Sequence, residues 1–99
     1  MEVTQVAVIG GGSFGTAIAS ILATNGMVTR QWMRNPQIAE AINQQHENPQ
    51  YLPDVILHSS LEATTDLAHA ISGAQLIFVS VPSKSFRTVV QQVKPLLQP

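Results

Sequence analysis

The chain has 99 residues, 44% of them hydrophobic and 11% charged, with a net charge of −1 and no cysteine. That length suffices for one domain with a modest core, and that apolar content excludes a disordered chain. The near-neutral charge, with basic residues scattered from Arg30 to Lys94, excludes the electrostatic footprint of a nucleic-acid or anionic-membrane binder, and the lack of cysteine excludes a disulfide framework, a thiol nucleophile and a cysteine–zinc site.

In chain order, Val3, Val6, Val8 and Ile9 predict a first strand, which breaks into Gly10-Gly11-Gly12-Ser13-Phe14-Gly15. A helical pattern follows, with Ile18, Ile21 and Leu22 as its apolar residues and Ala17, Ala19 and Ala23 allowing close packing, ending at Asn25-Gly26 as a left-handed cap. Gly10, Gly12 and Gly15 fill the G-x-G-x-x-G spacing in the strand–turn–helix setting that a dinucleotide site requires. Gly10 permits the tight turn, Gly12 the close approach of a pyrophosphate, and Gly15 the packing of the helix on the sheet. The helix N-terminus then aims its unpaired N–H groups at the phosphates.

A second strand is predicted from Val28 to Met33, and Asn35-Pro36 opens a helix with Ile38, Ala39, Ala41 and Ile42 as its buried stripe. Asn48-Pro49 and Leu52-Pro53-Asp54 mark residues 44–57 as an ordered irregular connection. A short strand is expected within 59–64, a small helix from Asp66 to Ser72 and a turn at Gly73. The apolar run Leu76 to Val81 predicts a central parallel strand covered on both faces, ended by Pro82. Ser83 is expected to cap a last helix with Phe86, Val89, Val90 and Val93 on its apolar side. Alternating strands and helices imply an α/β, Rossmann-like doubly wound parallel sheet, truncated after its fourth βα unit.

The end of the second strand reads Gln31-Trp32-Met33-Arg34-Asn35, without the carboxylate that accepts hydrogen bonds from the adenosine ribose in NAD-specific sites. A ribose 2′-phosphate would meet Arg34, whose guanidinium both grips phosphate and stacks on adenine. The cofactor is therefore NADP(H) or NAD(H), with NADP(H) favoured or accepted. Arg30, four residues earlier on the same strand, is expected to reach the sheet edge.

Gly10 to Ala19, Leu22 to Gly26, Trp32-Met33-Arg34, Asn48-Pro49-Gln50-Tyr51-Leu52-Pro53 and Val81-Pro82-Ser83 with Phe86-Arg87 follow one another in order. Together they closely resemble the N-terminal part of bacterial NAD(P)-dependent glycerol-3-phosphate dehydrogenases, over essentially the whole chain. The Asn-x-x-Tyr-Leu-Pro and Val-Pro-Ser-x-x-Phe-Arg segments are the selective ones. The resemblance implies that residues 1–99 are the N-terminal NAD(P)-binding domain, partial, with the family's C-terminal helical substrate domain absent. It implies reduction of dihydroxyacetone phosphate to sn-glycerol 3-phosphate for glycerophospholipid synthesis in the cytoplasm. By position, Ser13 and Phe14 would lie over the pyrophosphate, Arg34 at the adenosine end and Phe86 near the nicotinamide. The family's catalytic lysine would lie beyond Pro99, so no catalytic residue is assigned and the 99 residues alone are expected to be inactive. Thr29 and Gln31 depart from the family's usual apolar strand residues, which predicts a second strand either less well buried or less firmly fixed in register.

No metal site is expected, because His46, His58 and His69 match no compact ligand spacing. Asp54, Glu62 and Asp66 are not paired on one helix face, and Asp66 is placed to cap the short helix. Lys84 is expected in an exposed first helical turn and Trp32 as a packing residue. No run reaches the ~18 apolar residues of a membrane span. The alternatives are the cofactor domain of another two-domain reductase, of the ketopantoate reductase or 6-phosphogluconate dehydrogenase type, and a non-catalytic nucleotide-sensing module. A sheet lacking later strands would expose an edge, so self-association of the 99-residue chain is expected.

Overall fold

A computed structural model describes residues 3–97. Its elements are β1 (Gln5–Ile9), α1 (Ser13–Thr24), β2 (Val28–Trp32), α2 (Pro36–Gln45), β3 (Glu62–Thr64), α3 (Leu67–Ile71), β4 (Leu76–Val79) and α4 (Ser83–Val93), followed by a 3₁₀ turn at Lys94–Leu96. The four strands form one parallel sheet in the order β3-β2-β1-β4. Parallel neighbours need crossovers, and the helices supply them on both faces.

The two faces follow from the period-2 alternation of β1. Val6 and Val8 pack with Ala19 and Ala23 of α1 and with Ile38 and Ile42 of α2. Ala7 and Ile9 face the other way, against Ile71 of α3 and Val89 and Val93 of α4. Small residues in α1 let it lie close to the sheet, and its end is made by Gly26 at φ 88°, whose N–H donates to the Ala23 carbonyl while the Met27 N–H reaches Leu22. Asn35 and Asp66 cap α2 and α3 as their side chains accept N–H groups of the first turn.

Several expectations are corrected. β1 begins at Gln5 rather than Val3, which is exposed. Ile21 points to solvent, Ala41 is only half-buried, and β2 stops at Trp32. β4 stops at Val79, and among the described residues it pairs only with β1. Among the described residues it is thus an outer strand, with Leu76 50% exposed, and is not covered on both faces. Ser83 is the first residue of α4 and caps nothing; Pro82 holds the cap position and no side chain bonds there. Phe86 and Val90 face solvent, because the stripe of α4 that meets the sheet is set by Val89 and Val93.

The second strand is also better buried than its polar residues predict. Thr29 is buried, and Gln31 is fully so at 0% exposure. A buried carboxamide is tolerated where its hydrogen atoms find acceptors, and those acceptors lie in the glycine turn.

Candidate functional site

The site is built where β1, β2 and β4 release the chain at their carboxyl ends. In a doubly wound sheet this is where ligands sit, at the point where successive strands diverge to opposite sides; here β2 and β4 flank β1. The Gly10 N–H donates to the Trp32 carbonyl at 2.8 Å and the Ser80 N–H to the Ile9 carbonyl at 2.8 Å, so the three strand ends are tied together. They surround an open cleft of about 360 Å³ lined by Gly10, Gly11, Gly12, Arg34, Tyr51 and Pro82, among others.

Each glycine has a distinct physical reason. Gly10 sits at φ 137°, and a Cβ there would overlap the Ser80 carbonyl oxygen. A Cβ on Gly15 would meet the Gly10 carbonyl oxygen at 2.7 Å, so Gly15 lets α1 close against the turn. Gly12 is different: nothing lies within 4 Å of where its Cβ would be. Its lack of a side chain serves no internal packing and leaves room for a molecule to approach the backbone.

Gly12 is the N-cap of α1, and no side chain caps that helix or α4. The starts of both helices border the cleft, as Gly12 and Pro82 line it. Uncapped first-turn N–H groups and the positive dipole end favour an anion there. Arg34 is the one charged side chain lining the cleft among the described residues. Its Cζ lies 6.0 Å from the centroid of the Trp32 ring, at the outer range of a cation–π contact. The neighbouring Asn35 is occupied as a cap, accepting from the Gln37 N–H at 2.9 Å and the Ile38 N–H at 3.3 Å. The donor set is cationic and N–H-rich with an open glycine cradle, which fits a dinucleotide pyrophosphate and does not fit a metal.

Of the residues singled out from sequence, Gly10, Gly12 and Arg34 line the cleft and Gly15 lies buried beneath it. Ser13 and Phe14 stand exposed on the first turn of α1, Phe14 at 63%. Phe86 is 50% exposed, while Ser85 and Val89 of the same helix line the cleft. Lys84 is exposed in the first turn of α4. Trp32 packs in the core, and its indole Nε1–H donates to the Thr65 carbonyl at 3.0 Å.

Arg30, Glu62, His69 and His58 make structure away from the cleft. Arg30 Nη1 donates to the carbonyls of His69 and Ser72 at 3.2 and 3.1 Å, satisfying the C-terminal end of α3. Glu62 stands 3.5 Å from Arg30 Nε and 2.6 Å from His69 Nε2. His58 Nδ1 lies 2.8 Å from Ser60 Oγ.

The sequence reading missed Thr16, Gln31 and Asn48, which are buried together under the glycine turn. The available signals were a glutamine where the family usually carries an apolar strand residue and an asparagine preceding proline; neither identifies a partner without the fold.

The family described as "NAD-dependent glycerol-3-phosphate dehydrogenase N-terminus" matches residues 5–99. The glycerol-3-phosphate dehydrogenase [NAD(P)+] of Pseudomonas paraeruginosa is 53% identical over 90 residues, covering 91% of this chain and 26% of that protein. The one from Azotobacter vinelandii is 53% identical over 92 residues, covering 93% and 27%. The chain thus spans about a quarter of the length of the curated relatives it matches. Among solved structures, glycerol-3-phosphate dehydrogenase from Coxiella burnetii superposes with a TM-score of 0.89 at 32% identity, covering 97% of this chain and 30% of that one. The Saccharomyces cerevisiae enzyme gives 0.89 at 26% identity, covering 98% and 31%.

Proposed function

The chain belongs to the NAD-dependent glycerol-3-phosphate dehydrogenase family, matching its N-terminal region, and from that premise we propose that it forms the dinucleotide-binding part of an enzyme reducing dihydroxyacetone phosphate to sn-glycerol 3-phosphate. The observation that supports this reading best is Gly12, with open space at its Cβ position and an uncapped helix start, in a cleft whose one charged lining residue among the described residues is Arg34. Residues 1–99 act as the cofactor domain, and a helical substrate domain belongs to the rest of the protein. The product serves glycerophospholipid synthesis in the cytoplasm. Among the described residues no helix is long and apolar enough to cross a membrane.

In this assignment Gly10, Gly12 and Gly15 shape the turn, and the N–H groups beside Ser13 and Phe14 receive the pyrophosphate. Arg34 meets the adenosine end, and Phe86 borders the nicotinamide side. Because no carboxylate stands at the end of β2, Arg34 accepts the 2′-phosphate of NADP(H) as well as the plain ribose of NAD(H). The bound nicotinamide supplies a hydride to the ketone carbon while the ketone oxygen takes up a proton. The cleft-lining residues described above bind and orient; the group that protonates the oxygen, a lysine, belongs to the remainder of the protein. Taken alone, the 99 residues are inactive and self-associate along the exposed edge of β4.

The test joins two measurements on the full-length protein: titration with NADPH and NADH, and cofactor oxidation with dihydroxyacetone phosphate. Binding of either nucleotide together with ketone reduction is expected. Nucleotide binding without reduction of this ketone overturns the substrate assignment, and absence of binding overturns the cofactor assignment.

A further inference from the structure

The glycine turn is held from beneath by two buried carboxamides, and they decide which way its peptide groups face. Gln31 Nε2 donates to the Gly10 carbonyl at 2.8 Å and to Thr16 Oγ1 at 3.0 Å. Asn48 Nδ2 donates to the Gly11 carbonyl at 3.0 Å and to the same Thr16 Oγ1 at 2.9 Å. All three side chains are fully buried, and they come from β2, α1 and the loop after α2. Asn48 is itself held, since its Oδ1 accepts the Tyr51 N–H at 3.1 Å.

The described peptide bonds are all trans. A planar trans peptide sets the carbonyl of one residue antiparallel to the N–H of the next. With the Gly10 and Gly11 carbonyls drawn inward, the N–H groups of Gly11 and Gly12 project outward, on the side where these residues line the cleft. Successive N–H groups turned the same way form an anion-binding concavity. We propose that Thr16, Gln31 and Asn48 are positioning residues for the cofactor pyrophosphate: they touch no ligand but hold the Gly11 and Gly12 N–H groups toward it. This rests on the nucleotide-binding reading above.

The chemistry of Gln31 favours that role over simple filling of the core. Its Oε1 is buried without a hydrogen-bond partner among the described residues, a cost an apolar strand residue would avoid. What the glutamine adds is the pair of bonds from Nε2. Its orientation is also set: the rotated carboxamide would place Oε1 against the Gly10 carbonyl oxygen, two acceptors facing each other. Thr16 joins the two amides, its single hydroxyl oxygen accepting from both.

The experiment compares two probes that differ only beyond the adenosine 2′-phosphate: 2′-phospho-ADP-ribose, which carries the pyrophosphate, and adenosine 2′-monophosphate, which does not. Each is titrated into the full-length protein and its Thr16→Val variant, which keeps side-chain shape and removes the shared acceptor. The expected result is roughly 10-fold weaker binding of 2′-phospho-ADP-ribose, the size of one lost hydrogen bond of orientation, with adenosine 2′-monophosphate within about twofold of wild type. Thr16→Ser, which keeps the oxygen, restores binding. Equal loss for both probes, or no loss for either, overturns the proposal. Should Thr16→Val fail to fold, Gln31→Met, of similar length without the donor, carries the same comparison. A wild-type protein that binds neither probe nor plain ADP-ribose overturns the nucleotide-binding reading itself, an outcome distinct from intact binding that the variants leave unchanged.

Discussion

Alanine at Gly10 and alanine at Gly12 are expected to damage the protein in opposite ways, although both lie in one six-residue motif. At Gly10 the backbone is held at φ 137°, and a Cβ would overlap the Ser80 carbonyl oxygen and approach its carbon to 2.7 Å. Backbone strain of this kind costs about 1–3 kcal/mol. Displacing the main chain at Ser80, whose N–H donates to the Ile9 carbonyl at the sheet end, adds about 1–3 kcal/mol, the usual scale of overpacking. A total near 4 kcal/mol is a large part of the ~5–15 kcal/mol that holds a domain together. Gly12 stands at φ −75° and ψ −176°, which any residue adopts, with nothing within 4 Å of a Cβ. Alanine there costs about 0.5–1 kcal/mol, because glycine is the better N-cap of the two, and this is well below the cost at Gly10. Its methyl group instead stands where the phosphates approach, and dinucleotide affinity drops about 10-fold or more. Urea unfolding followed by tryptophan fluorescence, with Trp32 buried beside the turn, reads the first effect; calorimetric titration reads the second. A Gly10→Ala protein with the wild-type unfolding midpoint would refute the steric argument, and a Gly12→Ala protein with wild-type affinity would refute the placement of the phosphates.

Arg34→Ala is expected to weaken NADPH about 10-fold while leaving NADH within about twofold, because a 2′-phosphate loses its charged partner and a plain ribose does not; parallel loss for both nucleotides in a titration would count against it. Asn35→Ala removes the side chain that caps α2 and should lower stability by about 1 kcal/mol in urea unfolding, whereas Lys84→Ala, on an exposed turn, should leave it unchanged. The isolated 99-residue chain is expected to associate through β4, where Leu76 and Phe78 are exposed, and Phe78→Lys to reduce this; a monomeric mass by light scattering at high concentration would show the edge to be protected.

The sequence alone determined the strand–glycine turn–helix unit, the alternation of strands and helices, and the family. These are local properties: a φ that only glycine tolerates, the period of apolar residues along β1, and the caps at Asn35 and Asp66 are all written within a few neighbouring positions. Local pattern also misled. A continuous apolar run has the same appearance in a covered strand and in an outer one; the exposure of β4 among the described residues depends on which strands stand beside it. Likewise Phe86 and Val90 keep helical spacing with Val89 and Val93, yet the direction in which α4 lies on the sheet decides which of them is buried. Tertiary structure alone decided that polar Gln31 is a core residue. Its acceptors, Gly10 and Thr16, stand 21 and 15 residues away along the chain, and Asn48 reaches Thr16 across 32. Whether a buried amide is a defect or a support depends on where its hydrogen atoms point, and that direction exists only once three distant segments have been brought against one another.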